Sequence, residues 1–420
     1  MQAQQSAEPV LGRPSSLRSG FAWTFAGNAV YAATQWAMLS LLAKLGGRTM
    51  LGEYALAVAL TAPVAMLAHL NLRAVLATDV TGQRRFGDYL RVRFIASGIG
   101  LAAMAALALL FGGSAEMSGV ILLAGLSLTS EAISDAYYGA MQRRDQMDRI
   151  ARSMMARGIL SATSFGLALW VWGGLLPAVA AVAAVRLALL IIWDRPAGAA
   201  GEQMSGASWA GTRSVLRQAL PLGAVLMLVS LNTNLPRYVI EHRMGVAELG
   251  VFAAVASFVA AGSTIVNALG QSATPRLARF ASLNQTREFL GLVRKLGLLV
   301  LGLGLAGVIG SALVGRFVLS IAYRPEYASY VGILVAVMGA AIPANLAAAM
   351  GYAVTAVRAF DAQVPLFIIS ALICGITSWA LVPELGLAGA AAAMAIAAMA
   401  QIGGQAYILS RALRRLEAPQ

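Results

Sequence analysis

Apolar residues fill long unbroken stretches of the chain, and polar positions are confined to short gaps between them. Twelve stretches stand out, at about 21–43, 54–76, 94–111, 118–140, 155–173, 175–193, 218–240, 249–272, 291–313, 330–354, 363–382 and 385–409. Most reach the ~20 residues a helix needs to cross a ~30 Å hydrocarbon core. Membrane barrel strands alternate apolar and polar residues, whereas these runs are apolar on every face. The pattern therefore predicts an all-α integral membrane protein with twelve transmembrane helices. Its polar opening stretch and overlong first apolar run do not fit a cleavable signal peptide.

The one long polar break between spans covers residues 194–213 and is rich in Gly, Ala and Ser. It divides the chain into six spans before it, residues 1–193, and six after it, residues 214–420. A flexible connection there would let two bundles move against each other. The halves echo one another: Leu51-Gly52-Glu53-Tyr54-Ala55 opens span 2, and Leu249-Gly250-Val251-Phe252-Ala253 opens span 8, 198 residues later. Six spans per half returns the chain to the same side, so the repeat is expected to be parallel, about an axis along the membrane normal.

Charge fixes the orientation. With the N-terminus in the cytoplasm, 23 of the 31 basic residues fall in cytoplasmic pieces, among them Arg13, Arg84, Arg93, Arg157, Arg276, Arg358 and Arg414. Six lie outside and two, Arg73 and Arg186, deep within spans, with Arg157, Arg237, Arg294 and Lys295 counted to the side that their span ends reach. That is the positive-inside distribution, and it puts both termini in the cytoplasm. Charged residues make up 12% of the chain, about half the ~25% of a soluble domain. The net charge of +13 is then explained by loops facing anionic headgroups rather than by nucleic acid. The single cysteine, Cys374, lies in a span and excludes an intramolecular disulfide. There is no phosphate-cradling glycine motif, no metal-spaced His or carboxylate cluster and no outside loop beyond about 18 residues, so neither catalysis nor a cofactor is expected.

Ionisable groups at membrane depth are the candidates for function, because each is costly there. Glu131 and Asp135 stack on one face of span 4, with Glu131 near mid-span. Arg186 lies near the middle of span 6, and His69, Asn71 and Arg73 toward the cytoplasmic end of span 2. Ion pairs within the bundle would keep these charges tolerable; a cavity lining is the alternative, and Arg73 can also snorkel to the surface. Span 7 carries Asn232, Asn234, Pro236 and Arg237, and Pro236 is expected to kink it as a gating element. Asn28 and Gln35 share a stripe on span 1, fit for interhelical bonding or for substrate contact.

Several stretches, in order, resemble the polysaccharide-exporter branch of the multidrug/oligosaccharidyl-lipid/polysaccharide superfamily, the Wzx-type flippases. They are Gly27-Asn28 with Gln35-Trp36, Leu51-Gly52-Glu53-Tyr54-Ala55, Asn71-Leu72-Arg73 and Ser134-Asp135-Ala136-Tyr137-Tyr138-Gly139 with Gln142. Leu231-Asn232-Thr233-Asn234 with Pro236-Arg237-Tyr238, and Tyr323-Arg324-Pro325-Glu326-Tyr327, complete the set; Arg324 replaces a glycine usual in the family. The resemblance implies a V-shaped pair of six-helix lobes around a central cavity in a bacterial inner membrane. The implied cargo is an undecaprenyl-pyrophosphate-linked oligosaccharide, moved by alternating access coupled to a proton or sodium ion. Arg73, Arg186 and Arg237 would meet the pyrophosphate, Asn28, Gln35, Asn232 and Asn234 the sugar, and Glu131 and Asp135 the coupling ion. Membrane lipids, a polysaccharide polymerase and a co-polymerase are the implied partners. Competing expectations are a small-molecule antiporter of the same superfamily and a non-transporting scaffold. A lipid II flippase would resemble a fourteen-span protein, and a glycan polymerase or ligase would carry a large periplasmic loop.

Overall fold

A computed structural model describes residues 17–78, 85–200, 202, 207–357, 359 and 362–417. Arg13, Arg84, Arg358 and much of the polar break at 201–206 lie outside the described residues. The backbone folds into long helices, as it must where no water can satisfy its amides. The first half comprises α1 (Leu17–Leu45), α2 (Gly47–His69), α3 (Leu72–Thr78), α4 (Phe86–Phe111), α5 (Ala115–Arg143), α6 (Met147–Trp172), α7 (Leu175–Leu189) and the short α8 (Arg195–Ala199). The second half comprises α9 (Trp209–Met244), α10 (Val246–Ser282), α11 (Thr286–Ala322), α12 (Val331–Ala356), α13 (Gln363–Leu385) and α14 (Leu387–Glu417). Among the described residues, eleven helical stretches are long and apolar enough to span a membrane. The remaining long helix is α1, in which Asn28, Tyr31 and Gln35 interrupt an otherwise apolar run.

Two departures from the hydropathy pattern matter. The apolar run 54–76 is not one helix: α2 ends at His69, and Leu70 and Asn71 take left-handed angles (φ 53° and 47°) before α3 begins. The broken end is held by Arg93 of α4, whose guanidinium donates to the carbonyls of Ala68 (3.0 Å) and His69 (2.8 Å). A cation donating to the last carbonyls of a helix satisfies groups the helix leaves open and complements its dipole. The second departure is length. At 37 residues each, α10 and α11 extend ~55 Å, well beyond a hydrocarbon core, and carry exposed Arg276, Arg279, Arg287 and Arg294 past its basic side.

The apolar core shows how the halves meet. One cluster joins both at their outer ends, combining Met38, Leu51 and Val179 with Leu249, Tyr323, Leu334 and Val382. Toward the cytoplasmic ends the core divides. One cluster gathers Leu70, Tyr89, Tyr137 and Ile150, reached from the second half only by Val215, Ala219 and Leu222 of α9; the other gathers Leu277, Phe289, Ala353 and Leu409. The inner half of α9 stays with the first lobe. Its start is fixed there by Asp88, which accepts from the Ser208 amide at 2.8 Å, and by Arg91 over the Trp209 ring. The inner half of the facing α1/α10 seam is different: Asn28 and Ala29, and Thr264, Asn267 and Gln271, are exposed. The molecule is closed at its outer face and parts toward the basic face.

Candidate functional site

Helix α5 is the polar spine of the first lobe. Glu131, Asp135, Tyr138 and Gln142 recur at four- and three-residue intervals and so form one stripe along its inner half. Every member of the stripe is engaged. Glu131 accepts from the Tyr31 hydroxyl at 2.7 Å on Oε1 and from Arg186 Nη1 at 2.8 Å on Oε2. Asp135 lies 3.3 Å from His69 Nε2 and 3.4 Å from Arg73 Nη1. Arg73 also donates through Nε to Gln142 at 2.8 Å. Below Tyr138 lies a buried tetrad: Arg157 donates to Asp194 Oδ2 and to Ser134 Oγ, each at 2.6 Å, and Ser153 bonds both Tyr138 (2.7 Å) and Asp194 (2.5 Å).

A cavity of about 330 Å³ opens against this spine. Tyr31, Gln35, Tyr54, His69, Ser127, Glu131 and Arg186 supply its polar lining, and Val58, Leu128 and Val182 its apolar walls. All of its lining residues come from α1, α2, α5 and α7, so it lies within the first lobe rather than between the lobes. Arg186 is nearly enclosed (5% exposed), and its Nε has no hydrogen-bond partner among the described residues. Glu131 and Arg186 cancel in charge. A pair so satisfied is expensive to break on one side, because the partner is left as a bare buried ion.

The predicted residues thus separate into groups. Gln35, Glu131 and Arg186 share the cavity, and Arg73 and Asp135 join its cytoplasmic end through His69. Asn28 is exposed on α1 and donates to the Thr24 carbonyl of its own helix at 2.8 Å. Asn232 turns into the second lobe, where Ser370 receives bonds from it (3.0 Å) and from Gln401 (2.7 Å). Asn234, buried, accepts from Arg237 Nη1 at 3.0 Å. Arg237 has no carboxylate within ion-pair distance among the described residues, and its Nε is buried without a partner. Pro236 and Pro221 are both carried within α9, which runs as a helix from Trp209 to Met244.

Sequence reasoning passed over Tyr31, Arg93, Arg157 and Asp194. Tyr31 lies three residues beyond Asn28 and four before Gln35, on the stripe already marked as polar. Arg93 and Arg157 lie not in cytoplasmic loops, as the charge pattern suggests, but buried on helices at 0% and 2% exposure. Their positions at the edge of an apolar run were the available signal.

No protein-family model matches the chain. Its sequence is 24% identical over 394 residues to a capsular polysaccharide biosynthesis protein, CapF, of Staphylococcus aureus, covering 93% of this chain and 98% of that one. Among solved structures, the lipid II flippase MurJ in an inward closed conformation matches with a TM-score of 0.72 at 12% identity, covering 94% of this chain and 92% of that one. An inward-facing multidrug resistance MATE family transporter of the MOP superfamily matches at 0.69 and 14% identity, covering 94% and 95%. An outward-facing one matches at 0.61 and 16%, covering 94% of each. The chain shares the multi-pass, all-helical fold of these MOP superfamily structures.

Proposed function

We propose that this membrane protein with the MOP transporter fold is a polysaccharide-branch flippase. It would carry a polyprenyl-pyrophosphate-linked oligosaccharide from the cytoplasmic to the outer leaflet of a bacterial inner membrane. The observation that carries the reading is a near full-length likeness to a capsular polysaccharide biosynthesis protein, on a fold shared with a lipid II flippase. A pyrophosphate cannot enter hydrocarbon unaided and needs a protein-lined path with free positive charge.

The pairing of the arginines supports a narrower division of roles than the sequence does. Arg73 and Arg186 are neutralised by Asp135 and Glu131, so in this state they serve the first-lobe cavity and its carboxylates. Arg237 has no such partner among the described residues and is the candidate for gripping a phosphate. Asn234, which orients it, and the Asn232–Ser370–Gln401 cluster offer neutral hydrogen-bonding groups suited to a sugar. Glu131 and Asp135 are the candidates for ion coupling: releasing Arg186 or His69 and Arg73 frees a carboxylate, and binding a proton or sodium ion replaces the lost partner. Residues 1–193 and 214–420 would rock about the closed outer ends, with the inner half of α9 following the first lobe.

Expression in a deletion strain tests this. The chain should restore assembly of the surface glycan without altering drug tolerance, and Arg237→Gln should abolish the restoration while Arg237→Lys retains part of it. Restored drug tolerance without glycan would replace the reading with a small-molecule antiporter. Intact export in a Glu131→Gln/Asp135→Asn double variant would remove the ion-coupling role.

A further inference from the structure

The sequence repeat Leu51-Gly52 and Leu249-Gly250 is also a point of physical contact. A β-carbon on Gly52 would collide with the Val246 carbonyl oxygen and lie 2.7 Å from the carbonyl carbon of Val246 and 3.1 Å from the Gly250 nitrogen. A β-carbon on Gly250 would collide with the Arg48 carbonyl oxygen and lie 2.9 Å from the Gly52 nitrogen. The contact is reciprocal, since residues 48 and 246, like 52 and 250, are separated by the 198 residues of the repeat. Such mutual pairing of equivalent positions marks a local two-fold axis, running here between the outer ends of α2 and α10.

Other glycines in the chain also make close contacts, but many do so inside one lobe, as Gly27 does with Ala151 and Gly389 with Leu381. The Gly52–Gly250 contact crosses between lobes, where the outer core is continuous and the inner core is divided. Around it three side chains bond across the lobes. Arg324 Nε donates to the Lys44 carbonyl at 3.0 Å, Arg48 to the Tyr330 hydroxyl at 2.9 Å, and Ser40 to the Ala322 carbonyl. Side chains ring the junction, and bare backbone forms its centre.

We infer that this backbone-to-backbone pair is the central closure of the outer gate, and that a methyl group at either glycine forces the gate open. The inference rests on the alternating access proposed above and is independent of the cargo. Packed backbone cannot relax as a flexible side chain does, so the added volume is relieved by parting the helices.

The test uses the full-length protein in lipid nanodiscs, with Cys374→Ser as background. Nitroxide labels are placed at Glu116→Cys and Glu384→Cys, exposed positions at the outer ends of α5 and α13. Gly52→Ala and Gly250→Ala should each lengthen the interlobe distance, raising the ratio of outer-open to outer-closed molecules about tenfold or more. Gly98→Ala, where a β-carbon meets nothing within 4 Å, should leave the distribution unchanged. An unaltered distance in both glycine variants overturns the inference. So does failure of both to fold, because a gate able to open must let the chain fold open. Neither result bears on glycan export, which is measured separately in cells.

Discussion

The Glu131–Arg186 pair allows a prediction whose asymmetry comes directly from the structure. The Arg186 side chain is 6% exposed and that of Glu131 33%, the latter facing the cavity. Glu131→Gln strands a nearly enclosed guanidinium, and one-sided loss of a buried pair costs about 3–5 kcal/mol. Arg186→Met strands a carboxylate that still accepts from Tyr31 at 2.7 Å and faces the cavity, so the penalty is nearer about 1–3 kcal/mol. The double variant leaves no bare charge and should be more stable than Glu131→Gln alone, giving a coupling of about 2 kcal/mol or more. Equilibrium unfolding of the purified protein by SDS titration in mixed micelles measures all four corners of the cycle. Additive single effects, or a costlier Arg186→Met than Glu131→Gln, would refute the account.

Two further contrasts concern buried arginines of the first lobe. Arg93→Met removes the donors to the Ala68 and His69 carbonyls and should speed amide hydrogen exchange over residues 66–76 at least about tenfold while leaving α10 unchanged; uniform exchange would show that the helix end needs no cap. Arg157→Leu breaks a fully enclosed pair with Asp194 and should cost about 3–5 kcal/mol, whereas Arg152→Ala, from an exposed pair with Asp148 at 3.7 Å, should cost below about 0.5 kcal/mol by the same SDS titration.

The helical membrane class was legible because an apolar run of bilayer length admits few other folds. Leu51-Gly52 and Leu249-Gly250 also stand out in the sequence against dissimilar surroundings, and the structure brings the two segments into contact. Other features were hidden for physical reasons. Hydropathy averages over a window, so it reads straight through Leu70 and Asn71, whose backbone angles depend on Arg93 arriving from another helix. An arginine at the border of an apolar run looks like a loop charge until its partner is known, and Asp194, the partner of Arg157, lies 37 residues away. For the site, the stripe Glu131–Asp135 was visible from spacing, and so were the arginines able to answer it. Which arginine met which carboxylate, and that Arg237 met none among the described residues, required the packing of five helices.

The six ion pairs of the described residues all join positions between His69 and Glu202, while the interior of the second half is held by amides and hydroxyls. This bears on biogenesis. Each lone arginine at mid-bilayer adds about 2.5–3.5 kcal/mol to the insertion of its segment. Arg157 must wait for Asp194, which is synthesised later, whereas Arg186 finds Glu131 already in place. The early segments would therefore leave the translocon as a cohort, sheltered until their charges are matched, while later ones could partition into lipid one at a time.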